Sequence, residues 1–157
     1  MYIAITASPK RIFVTLSLLA LLITVMGFLS IQGQHSWQST AEWVSMFDLN
    51  TESNIPTWFS SMTLFIGGLL FFSLAHFAEI DRTKWLILGG ILTYISMDEA
   101  SRLHERFDPI VREHLGISEG IFYFGWVVVA IPVILLFALI FARFFFRIDK
   151  SVRYIFC

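Results

Sequence analysis

The sequence predicts an all-α integral membrane protein, a bundle of four transmembrane helices with a short interfacial helix in the first outer loop. Two observations carry this. Hydrophobic residues make up 57% of the chain and charged residues only 15%, where a soluble domain carries about a quarter charged. The apolar residues also fall in four long blocks, with neither the alternation of strands nor the one-sided stripe of a surface helix. We read residues 1–157 as a single transmembrane domain with spans at about 12–31, 57–78, 85–104 and 120–142.

The first block, Ile12 to Ile31, is roughly 20 residues, enough at ~1.5 Å per residue to match a ~30 Å hydrocarbon layer. Lys10 and Arg11 precede it as they would precede a signal peptide, but the apolar run is too long and no Ala-x-Ala-like site follows. It reads as a retained anchor. The second block has a well-marked start: Asn54 can cap, Pro56 suits a first turn that needs no N–H, and Trp58 suits an interface. Pro132 lies inside the fourth block, where neighbouring helices can absorb the carbonyl it frees.

The third block is short. From Trp85 its apolar run ends at Met97, and Asp98 and Glu99 follow. A helix climbs only ~20 Å over that stretch, less than the ~30 Å layer. The two carboxylates are therefore expected beneath the outer headgroups. At the centre of a span a charge costs at least ~2.5–3.5 kcal/mol, so buried ionisable groups seek partners and are functional candidates.

Basic residues set the orientation. With a cytoplasmic N-terminus, Lys10, Arg11, Arg82, Lys84, Arg143, Arg147, Lys150 and Arg153 lie inside, and only Arg102, Arg106 and Arg112 lie outside. This obeys the positive-inside bias. Both termini are then cytoplasmic, and the expected location is a bacterial plasma (inner) membrane. The first outer loop contains Ser39-Thr40-Ala41-Glu42, a capping-box spacing, before Trp43, Val44, Met46 and Phe47; this is the expected interfacial helix. The second, from Ala100, reads as a helical extension of the third span broken near Pro109, with Gly116 turning the chain toward the fourth. The net charge of −1 and the absence of a sizeable basic patch outside the membrane flanks give no sign of a nucleic-acid partner. The one cysteine, Cys157, permits no disulfide framework and no paired-thiol metal motif.

On one continuous helix, Asp98 and Glu105 share a face with Arg102 between them, while Glu99, Arg102 and Arg106 form a second stripe and His104 points elsewhere, toward Ser101 and Asp108. Two accounts fit. In the first, Asp98, Glu99, Arg102, Glu105 and Arg106 neutralise one another as i,i+3 and i,i+4 pairs. In the second, Asp98, Glu99, His104 and Glu105 bind a ligand or handle protons, with Asp98, Glu99 and His104 as the metal candidates. A carboxylate–imidazole set suits a divalent metal such as zinc, iron or manganese. No His-Glu-x-x-His and no Glu-x-x-His is present, so further ligands would come from His35, Glu52 or His114. His76 reads as hydrogen-bonded to Glu79, Ser73 or a neighbouring helix. Gly67-Gly68 and Gly89-Gly90 read as helix-packing positions.

Two stretches carry a resemblance: Asp48-Leu49-Asn50-Thr51-Glu52-Ser53-Asn54-Ile55-Pro56-Thr57-Trp58-Phe59-Ser60-Ser61, entering the second span, and Ser96-Met97-Asp98-Glu99-Ala100-Ser101-Arg102-Leu103-His104-Glu105, leaving the third. The chain from about Asp48 to Phe156 resembles an uncharacterised family of bacterial multi-pass membrane proteins. The resemblance implies no reaction. It implies that Asn50, Glu52 and Asn54 join Asp98, Glu99, His104 and Glu105 at one outer-face site, and that relatives continue into a further span after the basic segment, where Ser151 to Cys157 turns apolar again. The functional expectation is an accessory or ligand-binding subunit of a larger membrane complex or a homo-oligomer. The alternative is a membrane enzyme, metal-dependent or not, acting on a lipid or quinone-like substrate. A transporter ranks last, because four spans offer no continuous polar path.

Overall fold

The computed structural model describes residues 8–36, 42–116 and 124–147, and every regular element among them is helical: α1 Pro9–Ser36, α2 Glu42–Met46, α3 Ile55–Phe77, α4 Arg82–Ser101, α5 Leu103–Leu115 and α6 Gly125–Arg147. Three of these, over Pro9–Gln34, Ile55–Phe77 and Gly125–Arg147, are long and apolar enough to cross a membrane. At 20 residues α4 has the length. Its ends, however, carry Arg82, Lys84, Asp98 and Glu99, which set it apart from the other three. Exposure agrees with an apolar surrounding. Leu21, Leu70, Leu135, Leu136 and Leu139 are all exposed, whereas Val44, Ala75, Phe141 and Phe144 are the buried hydrophobic side chains among the described residues. Water would not tolerate so much bare hydrocarbon.

The chain forms two compact units, Met1–Ser60 and Ser61–Cys157. In the first, Ser8 accepts the opening hydrogen bonds of α1 on its carbonyl and Pro9 takes the first helical position, where its missing N–H costs nothing. Gly27, Ser30 and Gly33 form a buried strip of small residues on α1. The following loop lies on this strip. Ser30 Oγ donates to the Val44 carbonyl at 2.5 Å, and a Cβ at Gly27 would collide with the Leu49 side chain. The capping box at Ser39–Ala41 falls outside the described residues, but the short helix expected after it is present as α2.

The second unit is built on an antiparallel seam between α3 and α4. Ser61 Oγ donates to the Ser96 carbonyl at 2.8 Å, and Ser96 Oγ donates back to the Ser61 carbonyl at 2.7 Å. Seven residues further along each helix, Gly68 and Gly89 meet: a Cβ on Gly68 would stand 3.0 Å from the Gly89 carbonyl, and one on Gly89 would stand 3.1 Å from the Gly68 carbonyl. Ala75, one further repeat along α3, is fully buried. Small residues let helices approach closely where lipid supplies no hydrophobic drive for association. The packing role expected of the glycine pairs therefore falls on Gly68 and Gly89, with Gly67 beside them, where a Cβ would stand 3.0 Å from the Leu92 side chain. Gly90 faces open space. At the Arg82 end of α4, Trp85 packs between Phe71 and Phe144, with centroids 5.7 and 4.9 Å away, and Lys84 lies 5.2 Å above Phe144 while pairing with Asp81 at 2.9 Å.

One expectation is corrected. The break after the third apolar block lies at Arg102, not near Pro109. Arg102 has φ 55° and ends α4, and Pro109 sits inside α5. Proline leaves one carbonyl of an exposed helix to be solvated, which a helix can survive. A residue in the left-handed region redirects the chain outright. Gly116 closes α5 at φ 65°, as its position before the fourth block suggested.

Candidate functional site

The turn at Arg102 creates the polar corner of the second unit. On a continuous helix Asp98 and His104 would point apart, with His104 directed toward Ser101 and Asp108. The left-handed residue between them swings α5 back. Asp98 Oδ1 now accepts the backbone N–H of His104 at 2.8 Å, and Asp98 Oδ2 lies 2.9 Å from His104 Nδ1. One carboxylate thus satisfies an orphan N–H in the first turn of α5 and fixes an imidazole. An ionised carboxylate only accepts, so in this contact the imidazole donates through Nδ1.

The corner is walled by α6. The Trp126 ring meets the His104 ring edge-on at 5.3 Å. Asp108 accepts the N–H of Trp126 at 3.3 Å, capping α6 much as Asp98 caps α5. A Cβ on Gly125 would lie 3.1 Å from the Asp108 carbonyl and from Val111, so the glycine is what lets α5 and α6 approach. Side-chain exposures of 23% for His104 and 21% for Asp98 leave the pair shielded but reachable.

The remaining candidates divide. Glu105 pairs with Arg102, as the charge-neutralising account expects. Glu99 is half-buried, and no hydrogen bond joins it to Asp98 or His104, so of the metal candidates Asp98 and His104 are the two in contact. His114 Nδ1 donates back to the Ile110 carbonyl of its own helix at 2.8 Å. His76, expected to bond Glu79, Ser73 or a neighbouring helix, lies edge-on to Phe77, and Ser73 donates to the Leu69 carbonyl. The side chain of His35 lies outside the described residues.

In the first unit, Asn54 is the cap its position promised. Its Oδ1 accepts from the Thr57 N–H at 3.1 Å, and its Nδ2 donates to the Asp48 and Thr51 carbonyls at 2.6 and 2.8 Å. Asn50 is exposed, its backbone N–H held by Asp48 Oδ1 at 2.9 Å. Glu52 is half-buried on the wall of an open cleft of about 520 Å³ that also includes Thr51, Ser53 and Trp58. The residue that organises this loop is Asp48. It is only 7% exposed and also accepts from Gln34 Nε2 at 3.0 Å. Sequence reasoning passed over it as a site residue, although an aspartate two residues before a backbone N–H is the signal of an Asx-turn. Trp126 and Asp108 were likewise missed as parts of the corner, because only the fold brings α6 to α5.

These features define a class: an all-helical protein with three helices fit to cross a membrane and a carboxylate–imidazole pair at a helix break. The chain belongs to the DUF8692 family, described as a domain of unknown function, whose model matches residues 13–157. At that level the resemblance to an uncharacterised family holds. No curated protein and no solved structure matches the chain.

Proposed function

We propose that this chain is a small multi-pass protein of a bacterial plasma membrane, an accessory or ligand-binding subunit of a larger complex, whose ligand site is the Asp98–His104 corner. The observation that carries this reading is the two-point hold of Asp98 on His104. A carboxylate that orients an imidazole through Nδ1 is the arrangement used for metal ligands and proton carriers. In the topology that goes with it, α1, α3, α4 and α6 are four crossings, α2 lies in the interface, both termini are cytoplasmic and the corner faces outward. The α3–α4 seam supports counting α4, since a helix clasped along its length to a crossing helix shares its direction and depth.

The test is native mass spectrometry and elemental analysis of the full chain released from lipid nanodiscs. A small molecule, metal or partner chain retained by the wild type and lost in Asp98→Asn and His104→Ala is the expected result. A monodisperse chain that retains nothing would remove the subunit and ligand readings together.

The same pair favours a second reading, a membrane enzyme acting on a lipid or quinone-like substrate, with His104 as the proton-transferring group positioned by Asp98. Stoichiometric metal that disappears in His104→Ala and Glu99→Gln would favour its metal-dependent form. Metal content unchanged in both variants would exclude that form.

A further inference from the structure

The helix after the break has a face that the described residues leave largely uncovered. Every one of the 13 residues of α5 remains at least partly accessible. Leu103, Phe107 and Ile110 recur at the i, i+4, i+7 spacing of one helical stripe, and Phe107 and Ile110 are 57% and 52% exposed. The side facing α6 is different. It carries Asp108, Val111 and Arg112, which meet Gly125, and His104, which meets Trp126. Packing against α6 therefore uses one flank of α5 and leaves the Phe107–Ile110 stripe outside. On the margin of that stripe stand Arg106, which is exposed, and Glu113.

We infer that α5 lies in the plane of the membrane, with Leu103, Phe107 and Ile110 inserted among the lipids of the leaflet where α6 begins. The occupant of the stripe is lipid because of what α5 is tied to. Asp108 caps the first turn of α6, and Gly125 brings the two backbones together. The first turn of a crossing helix lies at the membrane surface, and a helix fastened there has the headgroup layer beside it. Trp126 at this junction suits the same depth. An amphipathic helix buries its apolar face about 5–10 Å into the boundary between headgroups and acyl chains. At that depth Arg106 can extend its head toward lipid phosphate while its stem covers hydrocarbon. The inference rests on α6 crossing the bilayer and is independent of any ligand at His104.

The experiment uses the full chain in liposomes, with Cys157 replaced by serine and single cysteines carrying an environment-sensitive fluorophore. The positions are Phe107→Cys and Ile110→Cys on the stripe, Glu113→Cys on the polar margin and Leu135→Cys within α6. Phe107, Ile110 and Leu135 are exposed, so replacing them removes little packing. The expected result is that labels at 107 and 110 are quenched severalfold more by lipids spin-labelled near the headgroup than by aqueous iodide. The label at 113 should show the reverse, and the label at 135 should be quenched by lipids labelled deep in the chain. Iodide access to 107 and 110, or protection there from both quenchers as a protein partner would give, overturns the inference while a lipid-quenched 135 keeps the crossing of α6. A label at 135 open to iodide overturns both.

Discussion

Gly89 and Gly90 are neighbours with opposite fates. A Cβ on Gly89 would stand 2.7 Å from the Phe72 ring and 3.1 Å from the Gly68 backbone, whereas a Cβ on Gly90 meets nothing within 4 Å. Overpacking a tight contact costs about 1–3 kcal/mol, and an alanine in open helix is favoured over glycine by up to ~1 kcal/mol. Gly89→Ala should therefore lower resistance to unfolding in a detergent titration, and Gly90→Ala should leave it unchanged or raise it. Equal responses would show that α3 and α4 do not meet at this register. The sequence shows two adjacent glycines on each helix and no means of choosing between them, because helices apolar on all sides carry no stripe to mark the packed face. Asn54 was legible for the opposite reason: its role is local, fixed by the proline and the helix that follow it.

At the scale of elements, α1, α3 and α6 could be read from their unbroken apolar runs, and the α4–α5 break could not. Ser101-Arg102-Leu103 contains no glycine or proline, and the one strong breaker nearby, Pro109, is absorbed within α5. The turn rests on the Asp98 carboxylate gathering the start of α5 and on α6 holding its flank, neither of which shows in local composition. A non-glycine residue in the left-handed region bears a penalty of roughly 1–2 kcal/mol, and the exposed Arg102–Glu105 pair offsets little of it. Arg102→Gly should thus match or exceed the wild type in stability, while Arg102→Val, β-branched at positive φ, should lose about 1–2 kcal/mol or more. Thermal unfolding of the two variants in one detergent compares them. If valine is tolerated as well as glycine, the helix runs straight through residue 102 and the Asp98–His104 contact goes with the bend.

For the whole molecule, composition fixed the apolar, helical character, and the number of crossings depends on α4, whose terminal charges separate it from α1, α3 and α6. A reporter fused after Arg82 and another after Gly116 decide the matter. If α4 crosses, the first should be active only in the cytoplasmic form and the second only in the outside form. The same side for both would reduce the chain to three crossings. Sequence reading places Asp98 and His104 in one candidate site but not in direct contact, because the contact lies across a bend that only the assembled unit creates.

The reciprocal serines and facing glycines of α3 and α4 limit how this hairpin can move. Displacing one helix by a turn would leave two hydroxyls to seek partners on their own helices and bring bulkier side chains against each glycine. The pair is latched against sliding, so it cannot act as a piston. The bend at residue 102 lies beyond the latched serines, so α5 is not held by them.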